Sequence, residues 1–186
     1  VNSQTQLDNS EIWFNHQRTQ CGGNELAPIT KITGNTLFKT NADLDYSLFS
    51  VNSFNTISGW GYFGLDVRNP QPGETIYIPQ HGAGNPKELS VETDFTDSRN
   101  CEIKYANMTD KGVDAQAGYQ CDTTGGSSGS PVLARATNNV IALHHWGGCK
   151  SSSFQNVNRG VQISSIWPEV SQYFNGVPQG DNGGTV

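Results

Sequence analysis

An all-β fold is the class this sequence predicts, and three observations predict it. Glycine is abundant, at 21 of 186 residues, while charged residues make up only 15%, a balance that suits many tight turns better than solvated helices. Apolar residues come in short runs separated by Gly, Asn, Asp, Ser and Pro, which is the punctuation of strands and turns. Repeats and heptads are absent, and no apolar run approaches the ~20 residues that cross a bilayer as a helix.

Taken in order, Glu11 to Phe14 predicts a strand that ends in the polar turn Asn15 to Gln20, and Cys21 opens a glycine-rich loop. His16 lies in that turn and reads as a solvent-facing loop histidine. Thr36 to Lys39 predicts a short strand, followed by the polar loop Thr40 to Asp45 and the strand Tyr46 to Val51, whose apolar positions indicate burial. Asp45 therefore sits where a polar loop enters the core, a placement suited to orienting a histidine; Asp43 reads as a solvated loop charge. Glu74 to Pro79 and Lys87 to Thr93 predict strands around the loop His81 to Pro86, where His81 reads as structural. Cys101 to Tyr105 predicts another strand, and Asn107-Met108-Thr109 is a glycosylation sequon that matters in a eukaryotic secretory setting. Pro131 to Ala134 and Asn139 to Leu143 predict a hairpin delivering His144-His145-Trp146-Gly147-Gly148-Cys149. Ser165 to Phe174, with Pro168 near its start and Ile166, Val170, Tyr173 and Phe174 on one face, predicts a helix. Residues 175–186 read as a flexible tail or linker.

The net charge of -6, with 11 Lys plus Arg and no basic cluster, argues against nucleic acid or an anionic membrane as partner. Cys21, Cys101, Cys121 and Cys149 lack C-x-x-C spacing, which argues against zinc or dithiol redox chemistry; His144, His145 and Cys149 are the alternative ligand set, and neither a metal nor a cofactor is expected. Disulfides in a secreted protein fit better, as do low lysine and many Asn, Ser and Thr residues. The polar opening Val1-Asn2-Ser3-Gln4 is unlike a signal peptide, so the expectation is a soluble or already processed chain.

The chemistry concentrates in residues 121 to 131, Cys-Asp-Thr-Thr-Gly-Gly-Ser-Ser-Gly-Ser-Pro. A serine hydroxyl is a weak nucleophile until it stands beside a base, with backbone N–H groups aimed at the developing oxyanion. Gly125, Gly126 and Gly129 permit the turn this requires. Gly125 to Gly129 also fits G-x-S-x-G with Ser127 as nucleophile, but that elbow needs a following helix and then an acid before a histidine. Pro131 opposes the helix, and no carboxylate lies between residues 123 and 168.

Gly126-Ser127-Ser128-Gly129-Ser130-Pro131 instead resembles the G-D-S-G-G-P signature of chymotrypsin-like proteases, and more closely the G-x-S-G-S-P form of bacterial glutamyl and lysyl endopeptidases. Asp45-Tyr46-Ser47-Leu48-Phe49 resembles the Asp-x-x-Leu-Leu element of the triad aspartate, and Ser58-Gly59-Trp60-Gly61 the segment that begins the second barrel. Thr123 to Val132, Val140-Ile141 and His145 to Gly148 parallel the glutamyl endopeptidases, and Asn158 to Ile163 continues the match. Discontinuously, the resemblance covers residues 11 to 174. It implies a trypsin-like pair of antiparallel β-barrels with a C-terminal helix: residues 1–56 as the remnant of the first barrel, 57–174 as the second with the helix, and 175–186 as the tail.

That resemblance implies a serine endopeptidase acting on polypeptides, with catalytic Ser128 and Asp45 and an oxyanion hole from the N–H groups of Gly126 and Ser128. Asp122, Thr123, His145, Trp146 and Gly147 would bind substrate, which would add as a strand beside Trp146 to Gly148. Thr123 and His145 match residues that recognise glutamate. Asp122 stands where trypsins bind Arg or Lys, and its charge tips the expectation towards Arg or Lys. Ser127 replaces the aspartate that pairs with a freed N-terminus, so activation by that salt bridge is not expected.

The Thr-Ala-Ala-His-Cys element that carries the triad histidine is missing. Phe14 to Cys21 is similar to a lysyl endopeptidase segment lying downstream of it, which puts the absent histidine a few residues before Val1. The expectations are an endopeptidase fragment, or one chain of the complete enzyme, whose histidine comes from a separate N-terminal segment or chain; an inactive protease-like binding module; or a hydrolase with a substitute histidine. The comparison pairs Cys101 with Cys121 inside the second barrel and leaves Cys21 and Cys149 free or mispaired.

Overall fold

In the computed structural model, residues 1–93, 100–110, 113–149 and 155–181 are described. The order is α1 (Gln4–Asp8), β1 (Glu11–Phe14), β2 (Thr30–Asn41), β3 (Tyr46–Val51), β4 (Ile76–Gln80), β5 (Glu88–Ser90), β6 (Ile103–Asp110), β7 (Val113–Tyr119), β8 (Pro131–Ala134), β9 (Val140–Trp146), β10 (Asn158–Gln162) and α2 (Ile163–Val170). The strands form two sheets, one of three in the order β1-β2-β3 and one of seven in the order β5-β4-β8-β9-β10-β7-β6. Every pairing between these strands is antiparallel. The protein is therefore all-β with one short C-terminal helix.

Alternation builds the seven-stranded sheet. Ile76 and Ile78 turn inward while Tyr77 and Pro79 face partly out, as a period of two requires. The inner faces meet in a core of Ile76, Ile78, Ile103, Ala117, Tyr119, Val132 and Ile141 around the buried Cys101–Cys121 disulfide. Cys21, exposed, and Cys149, buried, are not disulfide-bonded. A second cluster joins the sheets: Leu44 and Tyr46 from the first pack with Leu133, Val140, Val161, Ile163, Ile166 and Val170.

Several boundaries differ from those the sequence predicts. Residues 4–8 form a helix inside a polar opening without apolar periodicity; Ser3 caps it by accepting from Gln6 N, and Leu7 is wholly buried. Strand β2 runs twelve residues, not the four of Thr36 to Lys39, because its polar residues pair with two neighbours. Ser58-Gly59-Trp60 is a short 3-10 turn with Trp60 exposed, and the first strand of the large sheet starts at Ile76. Strand β7 was not legible, since Val113-Asp-Ala-Gln-Ala-Gly-Tyr119 is weakly apolar; it is interior because it lies between β6 and β10. Pro168 sits inside α2, which runs on into a 3-10 turn at Ser171–Tyr173. Of the expected tail, Pro178 accepts from Leu65 N at 2.9 Å and Asp181 N donates to Tyr62 O at 2.9 Å; residues 182–186 lie outside the described residues.

The C-terminal helix positions the first sheet. Glu169 accepts from the Tyr46 hydroxyl at 2.6 Å and from Asn41 Nδ2 at 2.8 Å. The Tyr173 hydroxyl donates to Phe38 O at 3.1 Å. These bonds hold the β2–β3 hairpin, and with it Asp45, against the sheet that carries Ser128.

Candidate active site

Asp45 closes the β2–β3 hairpin. Asn41 Oδ1 accepts from the N–H groups of Asp43 and Leu44 at 2.9 and 3.1 Å, an Asx turn. Asp45 then takes a left-handed φ of 49°, a conformation that Asp tolerates better than most residues. Its neighbours Leu44 and Tyr46 are buried, so the carboxylate is turned outward into a cleft. Its side chain is 62% exposed, with one oxygen 3.4 Å from His145 Nδ1. The core-edge placement is thus more solvated than the sequence implies.

That cleft, about 490 Å³, is also lined by Thr40, Leu143, His145, Ser128 and Gly129. Asp45 and Ser128, 83 residues apart in sequence, face one space. Ser128 also borders a second cleft of about 370 Å³, with Gly126, His81, Lys87 and Phe63. His81 therefore flanks the serine turn, and its ring stacks on His16 with centroids 5.4 Å apart.

The turn around Ser128 is built to present backbone donors. Gly125 O accepts from Ala83 N at 2.7 Å, and Ser127 O accepts from Ser130 N at 3.0 Å. In a trans peptide the C=O and the following N–H point in opposite directions, so these bonds fix the N–H groups of Gly126 and Ser128 facing away from their anchors. The N–H groups of Ser127, Gly129 and Ser130 are paired with Thr124, His144 and Ser127; among the described residues those of Gly126 and Ser128 are not. Gly126 has φ +99°, and a Cβ there would come within 3.0 Å of Ala83 N, so the position requires glycine.

Gln80, at the end of β4, was missed by sequence reasoning. It is buried, as is Ser127. Its Nε2 donates to Asp122 O at 3.0 Å, and its Oε1 accepts from the Ser127 hydroxyl. The orientation is unambiguous, because a carbonyl such as Asp122 O can only accept. One carboxamide thus ties the residue before Ser128 to the backbone at Asp122. No local pattern marks Gln80, which ends an alternating strand and shows its role only through its contact with Ser127, 47 residues away.

Asn158 makes the second tie. Its Nδ2 donates to Cys121 O and Thr123 Oγ1, each at 2.8 Å, while Oδ1 accepts from Gly148 N at 2.8 Å and Cys149 N at 3.3 Å. It holds residues 121–123 and 148–149 as two walls. Asp122 is exposed, not partly buried. Trp146 and Gly147 are exposed at the end of β9. Strand β8 begins at Pro131 opposite Leu143, and at His144 and His145 that flank of β9 is bonded to the Ser128 turn.

The two adjacent histidines do different work. His144 is buried, with Nδ1 2.7 Å from the Tyr119 hydroxyl. Burial, helped by neighbouring His145, lowers its pKa to about 4, while burial pushes the Tyr119 phenol far up; both are neutral at pH 7, which lets the phenol donate to Nδ1. The His145 ring lies between Asp45 and Gln116, with Nε2 2.6 Å from Gln116 Oε1. What Ser128 touches is the His145 carbonyl, which accepts from Oγ at 3.3 Å. The His144 ring and the Cys149 thiol both meet Tyr119, at its hydroxyl and its carbonyl, while the His145 ring is held elsewhere, and among the described residues no three metal-binding side chains converge.

The family model for the lysyl endopeptidase C-terminal domain matches residues 1–161. Secreted RxLR effector protein 73 of Plasmopara viticola is 32% identical over 162 residues, which make up 84% of this chain and 39% of that protein. The chain therefore spans about two fifths of the curated relative it matches. Among solved structures, Rv3671c of M. tuberculosis, a serine-to-alanine mutant in its inactive form, superposes with a TM-score of 0.54 at 9% identity, over 80% of this chain and 69% of that one. The inactive form of the Rv3671c protease gives 0.53 at 9% identity, over 77% and 67%. At that identity the likeness is one of fold.

Proposed function

Since the chain belongs to the lysyl endopeptidase C-terminal domain family, we propose that this protease-like domain is part of a secreted serine endopeptidase that cleaves polypeptides through an acyl-enzyme on Ser128. The observation that carries the reading is the pair of N–H groups at Gly126 and Ser128, each held by an anchored peptide plane and without an acceptor among the described residues, beside the exposed Ser128 hydroxyl. One such donor is worth roughly 3 kcal/mol to a tetrahedral transition state. Ser128 Oγ attacks the scissile carbonyl, its proton passes to an imidazole, and Asp45 orients that imidazole. Substrate enters as an extended strand along Trp146 to Gly148.

The imidazole comes from a separate N-terminal segment or chain. His145 presents its carbonyl to Ser128 while its ring is held between Asp45 and Gln116, and the cleft between Asp45 and Ser128 has room for a further ring. Residues 1–56 serve as the part of the first barrel present in this chain, 57–174 as the second barrel with its helix, and 175–186 as the tail. Secretion follows the named character of the Plasmopara relative, and among the described residues no helix is long and apolar enough to cross a membrane. Basic side chains are selected before the scissile bond: Thr123 Oγ1 is held by Asn158 and the His145 ring faces Asp45, which leaves the Asp122 carboxylate as the charge on that wall.

The same placement of the His145 ring favours a second reading, an inactive module that binds peptides without turnover. A serine-directed phosphonate probe separates the two, applied to this chain, to the longest natural polypeptide that carries it, and to the Ser128→Ala variant of each. Labelling of the longer protein that is lost with Ser128→Ala supports the protease; a longer protein that binds peptide but takes no label supports the module.

A further inference from the structure

Strand β6 is an end strand of the seven-stranded sheet, bonded at its start, Ile103, to Gly73 and Glu74, and farther along it carries the one N-x-S/T sequence in the chain, Asn107-Met108-Thr109. The β6–β7 register pairs Tyr105 with Gly118 and then Met108 with Gln116. Two residues, Ala106 and Asn107, therefore oppose Ala117 alone, the geometry of a β-bulge. Asn107 takes φ 55° there and is exposed. Its Oδ1 accepts from Gln162 Nε2 at 3.2 Å, and Gln162 is only 1% exposed. The amide is thereby oriented: its carbonyl is anchored to a buried side chain, and Nδ2, the atom that glycosylation modifies, has no partner among the described residues.

We infer that Asn107 is an N-glycosylation site, an inference that rests on the secretory reading of the protein. In the transfer, Asn107 Nδ2 forms a bond to C1 of an oligosaccharide carried on a lipid diphosphate. The bond from C1 to the diphosphate oxygen breaks, the lipid diphosphate leaves, and the amide loses one proton. The Gln162 bond uses the oxygen and so can persist once Nδ2 carries the glycan. The glycan then shields the edge of β6 beyond Ile103, which has no neighbouring strand on that side among the described residues and is the part of an open sheet most prone to add a strand from another molecule. It also stands three strands away from β9, so it leaves the Ser128 cleft open.

The test is secretion of the chain by a eukaryotic host behind that host's own leader, with intact masses taken from the medium and the lumenal fraction before and after a glycoamidase. The expected result is a glycan on the wild type and on Thr109→Ser, and none on Asn107→Gln or Thr109→Ala. An unmodified wild type, or a glycan that persists in Asn107→Gln, overturns the site. Because the leader imposes entry into the secretory pathway, that failure is separate from a failure of the secretion reading, which is read by locating the protein in its own cells. Shielding is checked by sedimentation: the Asn107→Gln protein should associate at concentrations where the glycosylated one stays monomeric, and equal behaviour overturns that role.

Discussion

Removing the Gln80 carboxamide should loosen the serine turn, and the size of the effect follows from what the group touches. Gln80 is 6% exposed and Ser127 1%. Gln80→Ala deletes the bond to Asp122 O and leaves the Ser127 hydroxyl buried without its acceptor. An unsatisfied buried hydroxyl costs about 1–3 kcal/mol, and a lost ordinary hydrogen bond about 1, so Gln80→Ala should destabilise by roughly 3 kcal/mol. Ser127→Ala alone strands the Gln80 oxygen and should cost about 1–2 kcal/mol. In the double variant the stranded partners vanish together, so it should be more stable than the sum of the singles by at least about 1 kcal/mol. Urea unfolding followed by tryptophan fluorescence gives the three values. Hydrogen exchange at residues 124–129 should quicken in Gln80→Ala before global unfolding. Additive single effects, with unchanged exchange at Gly126 and Ser128, would falsify the claim that this carboxamide holds the turn.

Three further outcomes are expected. His144 has a pKa of about 4 in the folded chain against 6.5 unfolded, so the unfolded chain binds the proton first on acidification. Stability should be full above pH 6.5 and fall by about 3 kcal/mol as pH drops towards 4; pH-dependent urea midpoints that decline equally in His144→Gln would show that another group is responsible. Replacing Cys101 and Cys121 by serine opens a loop of sequence separation 20, for which loop entropy gives about 3 kcal/mol, and a loss below about 1 kcal/mol by denaturant titration would refute that account. If Asp122 draws basic side chains, Asp122→Ala in the active natural protein should lower kcat/KM for Arg and Lys peptides at least tenfold, about 1.4 kcal/mol, and leave others unchanged; a library cut after Glu would overturn the assignment.

What could be read without the structure was whatever is written locally. The all-β class, β1, β3 and β8, and the serine turn all rest on neighbours in sequence: alternation, turn residues and a glycine-rich string each act within a few positions. The Cys101–Cys121 pairing came from family likeness, and the disulfide is there. Polarity misled where tertiary contacts override it. Gln116 in β7 is buried because β6 and β10 flank its strand, and α1 forms because Leu7 has a core to enter.

The sequence by itself determined which groups this protein has to offer: a hydroxyl at Ser128, a carboxylate at Asp45 and glycines that allow a strained turn. Only the tertiary structure decided where those groups face, because facing depends on contacts between residues far apart in the chain. Gln80 reaches Ser127 across 47 positions, Asn158 joins walls at 121–123 and 148–149, and Glu169 holds the Asp45 hairpin from 123 positions away at Tyr46. His145 is the sharpest case: its place beside Trp146 and Gly147 is written in the sequence, whereas packing sets its ring beside Asp45 and its carbonyl against the Ser128 hydroxyl. A side chain's type is set by one codon, whereas its partner is set by the packing of the two sheets that brings β2, β3 and β9 to the same cleft.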